Sequence, residues 1–149
     1  MKGIKKIRQL KNLGIEDYIL TIEGIFFLLL TDFLIFVVPF RWWVNWIGNK
    51  QKNTEIAELN AEEKNQIHRI RRNLFRANRA LMDTIKCFAL SLSLKKMLES
   101  RAVSVTLLLG INKTKMGKLR AHAWVKRDNI IIYGGQYSDK IYTNLVSFN

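Results

Sequence analysis

The chain has 149 residues and a mass of 17.5 kDa, room for one domain, or for a small domain with an appended helical lobe. Hydrophobic residues make up 48% of it and aromatics 11%, which excludes a disordered tail, and 25 Lys+Arg against 12 Asp+Glu leave a net charge of +13. That surplus favours anionic partners: nucleic acid, acidic lipid headgroups or an acidic peptide.

Cysteine usage narrows the setting. Cys87 stands alone, so no intrachain disulfide forms and a reducing, cytoplasmic compartment is expected. With only His68 and His122 beside it, a closed zinc site of the usual N/S type is excluded.

Residues 1–11 carry Lys2, Lys5, Lys6, Arg8 and Lys11 with Ile4, Ile7 and Leu10 at helical spacing, which predicts a short basic amphipathic helix. A greasy stretch follows from Ile19 to Ile47. A basic start before an apolar run resembles an export signal, but Glu16, Asp17 and Glu23 intervene and no small-residue cleavage site follows, so export is not expected. The purest part, Gly24 to Phe40, is 17 residues. As a helix it rises about 25 Å, short of about 30 Å of hydrocarbon. Asp32 in its middle adds a cost of about 3 kcal/mol to any span. The tail Phe40-Arg41-Trp42-Trp43-Val44-Asn45-Trp46 suits a helical lobe packed on the main domain, with or without contact to a membrane surface.

The polar run Asn49 to Thr54 and the acids Glu55, Glu58, Glu62 and Glu63 set a boundary near residue 50, dividing an N-terminal hydrophobic helical lobe (1–50) from the domain at 51–149. From Lys64 to Arg79 a helix is predicted. Ile67, Ile70, Leu74 and Ala77 form its stripe, and Arg69, Arg71, Arg72, Arg76 and Arg79 either face solvent or offer a docking surface to an acidic or lipid partner.

Thr84 is a suitable N-cap for a helix from Ile85 through Phe88, Ala89, Leu92 and Met97 to Leu98. Cys87 then lies in its first turn, where unpaired N–H groups and the positive end of the helix dipole favour thiolate over thiol. Leu90, Leu92, Leu94 and Leu98 make this helix apolar over much of its circumference, as a central buried helix would be. A thiol at the tip of such a helix is a plausible nucleophile, and its own backbone N–H is a ready oxyanion donor.

Val103 to Gly110 reads as a strand ended by glycine, and Ile111 to Lys118 as a polar turn. Leu119 to Lys126 then alternates strictly. Leu119, Ala121, Ala123 and Val125 share one face, and Arg120, His122, Trp124 and Lys126 the other. The alanines allow close approach of the Cys87 helix, and His122 lies on the opposite face unless the strand twists or bulges. Asp128-Asn129 signals a hairpin turn into a strand at Ile130 to Tyr133, which sets Gly134 or Gly135 opposite His122. Asp128 lies about 20 Å from His122 along an extended strand, too far to orient the imidazole.

From Ile67 to Phe148 these residues resemble the lasso-peptide maturation cysteine proteases, a branch of the transglutaminase-like superfamily that acts as leader peptidase. The resemblance rests on Cys87 before an apolar helix ending in Met97-Leu98, on Arg101, on Ala121-His122-Ala123-Trp124-Val125, on Ile132-Tyr133-Gly134-Gly135, and on Leu145-Val146-Ser147-Phe148. The greasy lobe with Pro39-Phe40-Arg41 is similar to the N-terminal portion of the stand-alone form.

The resemblance implies an α+β fold, a transglutaminase-like or papain-like core in which a buried Cys-bearing helix packs on a small antiparallel sheet, with the N-terminal helical lobe added. It implies hydrolysis of the bond between leader and core of a lasso-peptide precursor, with Cys87 as nucleophile and His122 as general base. Its implied partners are the precursor's leader segment, a separate leader-recognition protein and an asparagine-synthetase-like cyclase. Neither cofactor nor metal is implied.

Family members often carry an acid on the strand after the histidine strand, where this chain reads Tyr133-Gly134-Gly135-Gln136. Asp139, Gln136 or a backbone carbonyl is then left to fix the histidine tautomer. A transglutaminase-type acyl transferase or deamidase and a non-catalytic, basic, membrane-associated peptide-binding scaffold are the competing readings. Nucleic acid is not an expected partner, since net charge is its whole support and no binding motif accompanies it.

Overall fold

The computed structural model describes residues 14–48, 59–127 and 129–149. The basic segment 1–11, the boundary near residue 50 and the turn residue Asp128 lie outside the described residues. In chain order the elements are α1 (Ile15–Val37), α2 (Phe40–Ile47), α3 (Ala61–Ala80), α4 (Cys87–Glu99), β1 (Thr106–Lys113), β2 (Leu119–Arg127), β3 (Ile130–Tyr133), α5 (Ser138–Ile141) and β4 (Thr143–Phe148). The strands form one antiparallel sheet in the order β3-β2-β1-β4. The chain is therefore α+β, with a helical layer on one face of a small antiparallel sheet.

α4 is the hub of the helical layer. It packs on β1 and β2 through one side and on α1 and α3 through the others, as its apolar circumference requires. One apolar cluster runs through all of them, from Leu20 and Leu28 on α1 through Ile70 and Leu74 on α3 and Leu92 and Met97 on α4 to Leu107, Ala123 and Val125 on the sheet. Gly24 allows α1 to approach α3 closely, because a Cβ there would stand 3.1 Å from that of Ala77.

α3 begins with a capping box. Asn60 Oδ1 accepts from the Glu63 N–H at 2.8 Å, and Glu63 Oε2 accepts from the Asn60 N–H at 3.0 Å. Its predicted stripe, Ile67, Ile70, Leu74 and Ala77, is buried.

Polar pins fix α1 to the layer. Asp17 accepts from Asn73 Nδ2 at 2.8 Å and Arg69 Nε at 3.2 Å, with Arg72 and Arg76 close by. The Asn73 hydrogen bond, reinforced by the arginines against the cost of burial, holds the Asp17 carboxyl below its usual range. Arg69, Arg72 and Arg76 thus converge on Asp17 of α1 while staying partly open to solvent, Arg72 most of all. Arg101 grips both carboxylate oxygens of Glu23, at 2.9 and 2.5 Å, and Thr31 Oγ1 lies 2.9 Å from Ser93 Oγ.

The strand expected to end at Gly110 instead starts later, at Thr106, and continues through Gly110 to Lys113. The glycine serves packing: a Cβ at 110 would lie 2.7 Å from the Trp124 indole, which sits across the pair of strands on that face.

Candidate active site

Cys87 is the first residue of α4, not the third as expected. Thr84 does not cap the helix. Its hydroxyl donates to the Leu81 carbonyl at 2.9 Å, closing a turn in which Met82 and Asp83 both take left-handed conformations, φ 57° and 55°. Ile85 and Lys86, expected to begin the helix, follow that turn outside it. Lys86 occupies the N-cap and offers no side-chain hydrogen bond, so the first-turn N–H groups around Cys87 have no capping oxygen.

The thiol is half-buried at the edge of the apolar cluster, with Phe88 and Tyr133. Burial, and then the negative charge a Cys87 thiolate would carry, push the Tyr133 phenol above its ordinary range.

His122 stands on β2 opposite Gly110 of β1, in a register that runs unbroken from Thr106/Lys126 to Lys113/Leu119. The alternation therefore holds. Ala123 and Val125 face α4 in the core, while His122 and Trp124 share the other face. The imidazole stacks at 15° on Trp124 (centroids 6.2 Å apart) and lies 4.9 Å from the Tyr142 ring. Its Nε2 donates to the Gly134 carbonyl at 2.6 Å, and the Ser138 hydroxyl donates to the same oxygen at 2.6 Å. A carbonyl only accepts, so this bond puts the ring proton on Nε2 and leaves Nδ1 as the basic nitrogen.

Of the groups considered for holding the histidine, the backbone carbonyl is the one in contact. Asp139 is engaged elsewhere, accepting from the Trp124 indole N–H at 2.6 Å and from Lys126 Nζ at 3.4 Å. Gln136 lines the adjoining cleft.

The glycine opposite His122 also moves. β3 pairs Tyr133 with Val125, and a bulge at Val125/Lys126 shifts the register by one. Gly134 consequently faces Trp124, and only its carbonyl reaches the imidazole. Its φ is +107°, and a Cβ would lie 2.3 Å from that of Trp124.

Cys87 and His122 therefore lie toward opposite faces of the sheet, the thiol on the α4 side and the imidazole held on the other by the Gly134 carbonyl. No hydrogen bond joins the two side chains. His122, though not Cys87, lines a cleft of about 890 Å³ along β3, with Arg71, Phe75, Gly135 and Lys140 among others. Sequence reasoning missed Tyr142 and Ser138, which no motif or periodicity marks.

The fold thus sets a cysteine at the tip of a buried helix packed on an antiparallel sheet, with a histidine on a central strand. Residues 29–147 match the model of the transglutaminase-like superfamily, and the chain belongs to that family, whose members include cysteine peptidases and acyltransferases. No curated protein and no solved structure matches it.

Proposed function

We propose that the chain is a cysteine peptidase that removes the leader from a ribosomally made lasso-peptide precursor, with Cys87 as nucleophile and His122 as general base. The observation that carries the reading is Cys87, the sole cysteine, at the uncapped N-terminus of α4, where a thiol gains both a helix dipole and free N–H donors. The Ala121-His122-Ala123-Trp124 strand supports it with a histidine whose tautomer is set by Gly134.

In this mechanism the thiol proton passes to His122 Nδ1, and the thiolate attacks the carbonyl carbon of the scissile peptide bond. The oxyanion accepts a hydrogen bond from the Cys87 backbone N–H. The imidazolium returns its proton to the leaving amine, and the leader remains as a thioester on Cys87. Water, deprotonated by the same histidine, then releases it. Proton transfer requires the imidazole and thiol within about 3 Å, and the sheet holds them on opposite faces, so this reading requires the β2–β3 edge to rearrange around Gly134 when precursor binds. The cleft along β3 offers an extended peptide a sheet edge to pair with.

Purified protein, precursor and leader-recognition protein are mixed and the products weighed by mass spectrometry. Cleaved leader and core are expected, with Cys87→Ala and His122→Ala each reducing the rate at least about a thousandfold. A Cys87→Ala variant that still cleaves overturns the nucleophile. Products carrying an added amine in place of water identify an acyl transferase.

A further inference from the structure

α1 presents to solvent a face without a single charge. It runs from Ile15 through Ile19, Ile22, Phe26, Leu29 and Phe33 to Phe36, all more than half exposed, at alternating spacings of four and three residues along about 32 Å of helix. α2 extends it with Phe40 and with Trp42, which is 74% exposed. A continuous apolar strip of this length marks a contact surface.

We propose that this face docks the protein on an anionic lipid bilayer, with α1 lying in the plane of the surface. The charge around the strip selects the occupant. Lys86 sits 5.2 Å over the Phe36 ring at one end, and Arg41 is exposed next to Trp42. A second copy would bring two chains of net charge +13 together. An anionic headgroup layer complements Lys86 and Arg41 while acyl chains receive the aromatics beside them.

Length and composition alone would also allow α1 to cross a membrane, its mean hydropathy being 2.2 over the most apolar window. The opposite face forbids it in this fold. Leu20, Gly24, Leu28 and Thr31 are buried in the protein, and Asp17 and Glu23 are tied to α3 and to Arg101. Spanning would strip those carboxylates of their partners inside hydrocarbon.

The full chain is floated with vesicles of phosphatidylcholine alone or mixed with phosphatidylglycerol. Binding to the mixed vesicles, weakened by added salt and released by alkaline carbonate, is expected. Phe26→Glu with Phe33→Glu should lower the bound-to-free ratio at least about tenfold, and Ile22→Ser with Leu29→Ser, a milder pair whose circular dichroism and melting are checked alongside, should lower it in the same direction. The proposal is overturned if wild-type protein stays free of mixed vesicles, or if both pairs bind as wild type does. Carbonate-resistant insertion, or a vesicle-free dimer that the substitutions dissolve, would equally overturn it.

Discussion

Gly134 carries more of the site than any other backbone position. Its φ of +107° is a conformation L side chains rarely adopt, and the 2.3 Å gap to the Trp124 Cβ leaves no room for a methyl group. Gly135 shares the conformation, φ +102°, but a Cβ there meets only Ser138 Oγ, at an ordinary 3.5 Å. Gly134→Ala should therefore destabilise the protein by about 3 kcal/mol and displace the carbonyl that holds His122, whereas Gly135→Ala should cost about 1 kcal/mol. Urea denaturation of both variants checks this, and equal losses would contradict the packing argument. The glycine pair was legible in the sequence as a place of close approach. Which side chain approaches was not, because a bulge within three consecutive isoleucines decides the register and none of them differs chemically from its neighbours.

Among the elements, α4 shows both the reach and the limit of periodicity. Its apolar circumference correctly made it the central helix. Its start could not be read: Thr84 has the chemistry of a cap, and only the left-handed Met82-Asp83 pair turns its hydroxyl back to Leu81. Nor does the pattern reveal that Lys95, one of an adjacent lysine pair, is fully buried. Its ammonium donates to Glu99 and, at 3.0 Å, to the Val105 carbonyl, and burial pushes its pKa down despite the carboxylate. An ion pair of this kind loses in desolvation much of what it gains in attraction. Lys95→Met should thus be neutral or stabilising by about 1 kcal/mol, while Glu99→Gln, which leaves the ammonium without its countercharge, should cost about 2 kcal/mol. Thermal melts of the two variants give opposite signs if this account holds; a large loss in the Met variant would refute it.

At the scale of the whole molecule, the arginines that composition alone would assign to an anionic partner serve partly as internal fasteners. Arg69, Arg72 and Arg76 secure Asp17 on α1, and Arg127 holds Glu63 at the start of α3 at 2.9 Å. Both carboxyls are held below their ordinary values, Asp17 chiefly by Asn73 and Glu63 chiefly by the Asn60 backbone N–H. The unfolded chain therefore takes up these two protons at a higher pH than the folded one does. Their contribution is complete above the unfolded values of 3.8 and 4.5 and is lost as pH falls through the lower folded values. Acid also adds positive charge to a chain already at +13, which works in the same direction. The melting temperature should hold steady above about pH 5 and drop steeply below it. Asp17→Asn should cost about 1 to 2 kcal/mol at neutral pH and make the acid drop shallower, since one of the groups responsible no longer titrates. Melting curves across that range test the point: an Asn variant with an acid drop as steep as the wild type's would mean that the Asp17 cluster does not fasten α1 to the domain.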